Sequence, residues 1–257
     1  ECGFSFFWER KLFKKLFSFI GWNSLIGLTE ILNQQGISVI LNHFFGTAIN
    51  ASRGVSIQIS NLISNFTHNI YMAYRPQLIK SYAEGDMIFF LNLINRSSKF
   101  NYYLIYVIGL PIILSMDWLL KTWLNVVPPY TKEISILIII YFFIDSLRNP
   151  LWACAQAVGD IKKYSIYTSL VSIIALPIGY LILLFYKKAD LLFWVLIMVR
   201  LLYMIVVLLI VQTKVKEFKI SGYFKEVITP ILSVTLTTLV VPILISNYFD
   251  GFMAVVI

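Results

Sequence analysis

Apolar runs approaching the roughly 20 residues that a membrane-crossing helix needs recur along this chain, separated by short basic clusters. Stretches such as 134–144 and 191–211 leave no polar face for water. Charged residues make up 13% of the chain and mean hydropathy is +0.79, whereas a soluble domain carries about 25% charged residues. A water-soluble core is therefore excluded, and the fold class expected is all-α, a polytopic transmembrane helical bundle.

Hydropathy marks seven spans, 16–45, 51–80, 87–115, 134–157, 164–186, 191–211 and 227–248. The first three exceed a perpendicular crossing, and Gly36, and Gly109 with Pro111, are the expected bend points. Organisation follows from these spans. Residues 1–15 form a basic segment, 16–213 hold six crossings, and 214–257 hold a basic linker and one more helix. The chain begins with Glu1 and ends within a further apolar run, 251–257, so it reads as a piece of a longer protein.

The net charge of +8 does not point to nucleic acid, because the cations sit between apolar segments. Arg10, Lys11, Lys14, Lys15, Arg75, Lys80, Arg96, Lys99, Lys162, Lys163, Lys214, Lys216, Lys219 and Lys225 fall on one side. Only Arg53, Lys121, Lys132, Lys187 and Lys188 fall on the other, while Arg148 and Arg200 lie within spans. The positive-inside rule puts the first side in the cytoplasm, and the cations are expected to touch anionic membrane lipids. The outer loop 117–133, with Trp118, Trp123, Pro128, Pro129 and Tyr130, has the aromatic character of a headgroup-level segment. Cys2 and Cys154 imply no disulfide framework.

Polar side chains inside spans are costly in lipid and must face other helices or water. On the second span Gln58, Asn61, Asn65, His68 and Asn69 fall within roughly 100° of helix circumference. The apolar strip Val55, Ile59, Leu62, Ile63, Phe66 and Ile70 is left to face lipid. Interhelical hydrogen bonding and cavity lining both account for such a stripe. The first span aligns Asn23, Gly27, Glu30 and Gln34, with Glu30 near its middle, as a protonatable coupling group or a neutral buried acid. The fourth aligns Tyr141, Asp145, Arg148, Asn149, Trp152 and Gln156, with Asp145 and Arg148 spaced to pair. Arg200, alone in the sixth span, requires a partner from another helix or a cavity.

The chain carries no HExxH, CxxC, P-loop or nucleophile elbow, and His43 and His68 lack metal-ligand spacing. The outer loops are short for a sugar-transfer site, so no enzyme activity, metal or cofactor is expected.

Two runs, 46–54 (GTAINASRG) and 74–86 (YRPQLIKSYAEGD), resemble the polysaccharide biosynthesis and O-antigen flippase family. That family belongs to the multidrug/oligosaccharidyl-lipid/polysaccharide exporter superfamily. The stretch 145–160, with Arg148-Asn149-Pro150-Leu151-Trp152 and Gly159-Asp160, and the basic 161–164 fit the same pattern. The resemblance extends from about residue 12 to residue 230. It implies the second, C-terminal lobe of a two-lobed exporter-type fold plus one additional helix, the N-terminal lobe being the missing partner.

The resemblance further implies alternating access in the bacterial inner membrane, with an undecaprenyl-diphosphate-linked oligosaccharide as cargo. Other polysaccharide-assembly proteins would be partners. Arg53, Arg75, Arg148 and Arg200 are then candidates for diphosphate contact, because guanidinium forks match phosphate oxygens. Gln34, Asn61 and Asn65 are candidates for the sugar path, and Gln58 and Asn149 for the cavity lining. Glu30, Asp145 and His68 are candidates for coupling to H+ or Na+. A multidrug or organic-cation antiporter of the same superfamily is the nearest alternative, followed by a membrane polysaccharide polymerase and a non-transporting scaffold.

Overall fold

The computed structural model describes residues 9–159 and 161–246. Among them the chain is all-helical. The long helices are α1 (Arg10–Phe45), α2 (Thr47–Ala83) and α3 (Met87–Leu114), followed by the short α4 (Met116–Trp123). Next come α5 (Thr131–Asp145), α6 (Arg148–Val158), α7 (Ile161–Ile173), α8 (Ala175–Tyr186) and α9 (Ala189–Lys214). A short α10 (Ile220–Tyr223) leads through a π-helical turn, Phe224–Ile228, into α11 (Thr229–Ser246).

Prolines set several of the breaks. Pro150 lacks the N–H that would bond Ser146 O, and the helix is interrupted at Ser146–Leu147 between α5 and α6. The freed Ser146 carbonyl accepts from Asn101 Nδ2 at 3.5 Å. Pro177 removes the bond to Ile173 O in the same way, and α7 gives way to α8 at Ile174. The π turn ends just before Pro230, a common place for a wide turn to absorb a missing donor. Between α1 and α2 the chain turns at Gly46, whose φ of 75° and ψ of −169° suit glycine alone.

Seven crossings are expected from hydropathy. Three stand on length and composition among the described residues: Thr131–Val158, Ile161–Tyr186 and Ala189–Lys214. A fourth is present if α3 and α4, bent by 75°, count as one. α1 and α2, at 36 and 37 residues, are long enough. Their central amides and charges, however, make them too polar to qualify by composition. Of the seventh expected span, 229–246 is helical and 247–248 lie outside the described residues, as does Cys2; Cys154 is buried and unpaired.

The expected bends lie elsewhere. α1 runs unbroken through Gly36, and α3 continues through Gly109 and Pro111 to Leu114. Both glycines are close-approach points instead. A Cβ on Gly36 would sit 2.7 Å from Leu176, and one on Gly109 would sit 2.7 Å from the Phe143 ring. The sharp turn comes at Ser115, whose N–H and Oγ both bond Pro111 O. α4 then inserts Met116 and Leu120 into the core while Trp118 and Trp123 face outward, and Lys132 pairs with Asp117 across the loop. This amphipathic geometry suits a headgroup-level helix.

α1 lies along α7, α2 packs against α3, α5 and α6, and α9 lies against α5, α7 and α8. The buried face of α2 carries Ser52, Ser56, Ser60 and Thr67 between Ile49, Ile59 and Ile63. Small hydroxyl residues let helices approach closely and bond across the gap; Ser56 Oγ meets Ser135 Oγ at 2.8 Å. The strip expected to face lipid is therefore split. Ile59 and Ile63 are buried against α3 and α5, and Leu62 and Phe66 are exposed.

Three apolar clusters result, around Leu78–Phe90–Leu151–Val207, Leu41–Ile134–Leu183–Leu192 and Ile63–Ile105–Met116–Ile139. The polar centre of the molecule sits among them. Overpacking at a close approach typically costs about 1–3 kcal/mol. Gly109→Ala should therefore lower the melting temperature of the detergent-solubilised protein, and adding Phe143→Leu, which leaves the 2.9 Å approach of Ile139 in place, should recover only part of the loss. Equal melting of Gly109→Ala and wild type would show that the α3–α5 approach is not tight.

Candidate functional site

The polar residues of four spans converge on one partly open hollow of about 520 Å³, walled by α1, α2, α5, α6, α7, α9 and the first residue of α8. At its base is Asp145, at the C-terminal end of α5. Its Oδ1 accepts from Arg148 Nε at 3.0 Å and lies 3.0 Å from Arg200 Nη2. One carboxylate oxygen thus holds two guanidiniums from different helices. Arg148 reaches Asp145 as a neighbour three residues on, and it extends Nη1 to within 3.5 Å of Glu30 Oε1 on α1.

Arg200 is eleven residues into α9, roughly 16 Å from its start at about 1.5 Å per residue. That depth is close to the middle of a hydrocarbon layer about 30 Å thick. The guanidinium bonds Tyr141 Oη. It also lies 4.7 Å from the Tyr141 ring centroid and 4.8 Å from that of Tyr203. Aromatic faces on both sides give Arg200 a fixed plane and partial compensation for lost hydration. Tyr203 is held in turn by Tyr164, hydroxyl to hydroxyl at 3.1 Å, and Trp152 packs 4.7 Å from the Tyr164 ring.

The four ionic side chains differ in exposure. Asp145 and Arg200 are 12% and 13% exposed, Arg148 24%, and Glu30 55%. The cluster is sealed at Asp145 and open at Glu30. Arg53, from α2, completes the charged lining. It donates to Ser38 Oγ and to Gln34 O at 2.9 Å, tying α2 to α1, and no carboxylate among the described residues lies within 4.0 Å of it. Three guanidiniums therefore face two carboxylates in the lining, a formal excess of one positive charge.

Of the residues singled out in the sequence, Arg53, Arg148, Arg200, Gln34, Asn61, Glu30 and Asp145 line the hollow. Gln58, Asn65 and His68 are outside its lining, on the exposed face of α2, with Asn69 beside them. Arg75 is also outside it, its guanidinium 5.7 Å from the Tyr71 ring centroid. Asn149 is half-buried and outside the lining, and Gln156 bonds Tyr71 Oη at 2.8 Å. Asn33, beside the polar face of the first span, and Ser60 and Ser64, which extend the polar surface of the second, also line it, whereas Tyr203 is a lining residue that the sequence reading did not pick out. For Tyr203 the signal is present, since an aromatic three residues after an intramembrane arginine shares its helix face. No group of three or more metal-ligating side chains occurs among the described residues.

Comparison of the chain with protein-family models, with curated proteins and with solved structures gives no match.

Removing one member of a buried ion cluster leaves the others uncompensated, at about 3–5 kcal/mol, whereas losing one neutral hydrogen bond costs about 1 kcal/mol. Asp145→Asn should therefore destabilise the solubilised protein far more than Tyr203→Phe, which keeps the ring against Arg200. Denaturant titration of the two variants ranks them. Equal losses would remove Asp145 from the centre of the cluster.

Proposed function

We propose that this chain is one lobe of a transporter that passes an anionic, lipid-linked oligosaccharide across the bacterial inner membrane by alternating access. The reading rests on one observation above others: a hollow inside an apolar helical bundle carries three arginines against two carboxylates. A hollow with that imbalance attracts an anion, and its arginine forks suit a diphosphate. The amides of Gln34 and Asn61 and the hydroxyls of Ser60 and Ser64 offer the hydrogen bonds that sugar hydroxyls need.

Size supports a partial enclosure. About 520 Å³ falls in the range of roughly 300–1,000 Å³ typical of small-ligand pockets. That volume holds a diphosphate and its first sugar, while further sugars extend outward and the prenyl tail stays in lipid. The exposed amide face of α2 runs on from Asn61 through Asn65, His68 and Asn69. Unpaired amides are costly against hydrocarbon, so this face and the polar parts of α1 border a water-filled path or a second lobe. α1 and α2 then cross the membrane as lining helices, shielded from lipid on their polar sides.

In this reading Arg148 and Arg200 contact the diphosphate, and Arg53 marks the entrance on the outer side. Glu30 and Asp145 border the anion and are placed for ion coupling, whereas His68 lies beyond the hollow. A cation antiporter is the weaker reading because the lining carries one more guanidinium than carboxylates, a balance that repels a cationic drug.

Cells lacking the gene should accumulate lipid-linked oligosaccharide on the cytoplasmic side, and the wild-type gene should clear it. Arg148→Gln and Arg200→Gln, at matched protein levels, should reduce clearance at least tenfold. Arg75→Gln should clear normally. Full clearance by both cavity variants would overturn the proposal.

A further inference from the structure

The tetrad raises a problem for any anion entering the hollow. Arg148 and Arg200 are already neutralised, the first by Asp145 and Glu30 and the second by Asp145. An incoming phosphate must therefore take the place of a carboxylate or remain at the periphery. The two carboxylates are not equivalent. Asp145 is 12% exposed and holds both guanidiniums at 3.0 Å, so displacing it would strand a buried charge. Glu30 is 55% exposed and, among the described residues, its one ion pair is with Arg148, at 3.5 Å. An exposed pair of that kind contributes little, and a released Glu30 side chain remains in the water of the hollow.

The guanidinium edge that Glu30 occupies is the one with the more exposed partner. Arg148 uses Nε for Asp145 and Nη1 for Glu30. Its Asp145 contact therefore survives the exchange of its outer partner. The hollow contains one fixed counter-ion and one exchangeable one.

We propose that Glu30 is an internal competitor of the anionic substrate: its carboxylate and the substrate's phosphate occupy the Nη1 edge of Arg148 in turn. This inference rests on the reading of the hollow as an anion site and names the residue that sets the site's affinity. Glu30 prevents the empty site from holding stray anions tightly and gives way to a ligand that brings two phosphates and sugar contacts. Arg53, Tyr141, Asp145, Arg148, Arg200 and Tyr203 are the other charged or titratable side chains that face it across the hollow.

The prediction has an unusual sign, because removing a lining residue should improve binding. The probe is farnesyl-diphospho-N-acetylglucosamine, whose two phosphates each carry one ester and share one anhydride bond, so that each keeps a single strongly acidic group that stays ionised at neutral pH. Its binding to the detergent-solubilised full chain is followed by calorimetry at pH 7.5, with farnesyl N-acetylglucosaminide as the uncharged control. Glu30→Gln and Glu30→Ala should each bind the probe about tenfold tighter than wild type, with no change for the control. Arg148→Gln should lose the gain when combined with either. Glu30→Asp, which retracts the carboxylate, should fall between wild type and Glu30→Gln.

If wild type binds the probe in an Arg148-dependent way but both Glu30 variants bind equally or more weakly, the competitor role is wrong and the anion site stands. If no variant distinguishes the probe from its control, the anion site fails and the competitor role fails with it.

Discussion

Everything polar in this bundle is arranged around the carboxylate of Asp145. It sits where a span is interrupted, five residues before Pro150, and it faces two guanidiniums from different helices. The interruption matters as much as the charge. Because Pro150 cannot bond Ser146 O, the backbone opens between α5 and α6, and Asn101 from α3 bonds the freed carbonyl. The break thus ties α3 to the centre. Arg200 then draws α9 in, and Glu30 faces the cluster from α1. Four helices are held in register by charges that no single helix could keep in hydrocarbon.

This arrangement separates two tasks that are usually in conflict. A stable bundle requires every buried charge to be paired, and a binding site requires some charge to be available. Here the paired part is deep, at Asp145 and Arg200, and the available part is shallow, at Arg148, Glu30 and Arg53. Tyr141 and Tyr203 hold Arg200 between their rings. Arg200 is thereby fixed in plane at the sealed end of the cluster, and Arg148 is the more exposed of the two guanidiniums. The proposed transport reading and the proposed competitor role of Glu30 both follow from that gradient of exposure.

α2 shows how far a helix face can be read from sequence. Its amide stripe is plain at helical spacing, and the structure leaves Gln58, Asn65 and His68 on the exposed side. Its opposite face is less obvious. Ile59 and Ile63 look like lipid-facing residues by hydropathy, yet they pack inward because Ser52, Ser56 and Ser60 beside them let α3 and α5 come close. Hydropathy ranks residues by dislike of water and carries no information on whether lipid or protein replaces it. The glycines teach the same point. Gly36 and Gly109 look like bends in one dimension and are contact points in three, with Leu176 and Phe143 in the space a side chain would need.

What the sequence determined by itself is the class of solvent and the local pairings. Runs of apolar residues require helices whose backbone bonds are satisfied internally. The spacing of Asp145 and Arg148 allows a contact within one span, because neighbours three apart share a helix face. An arginine alone in an apolar helix, such as Arg200, demands a partner, but its sequence cannot say which. Only the tertiary structure decided that Arg200 and Arg148 share one carboxylate, that Glu30 meets Arg148, and that Arg53 lines the hollow while Arg75 does not. Those contacts join residues far apart along the chain, and their geometry depends on how helices cross, which is set by side-chain packing over whole faces and is not encoded in any local pattern.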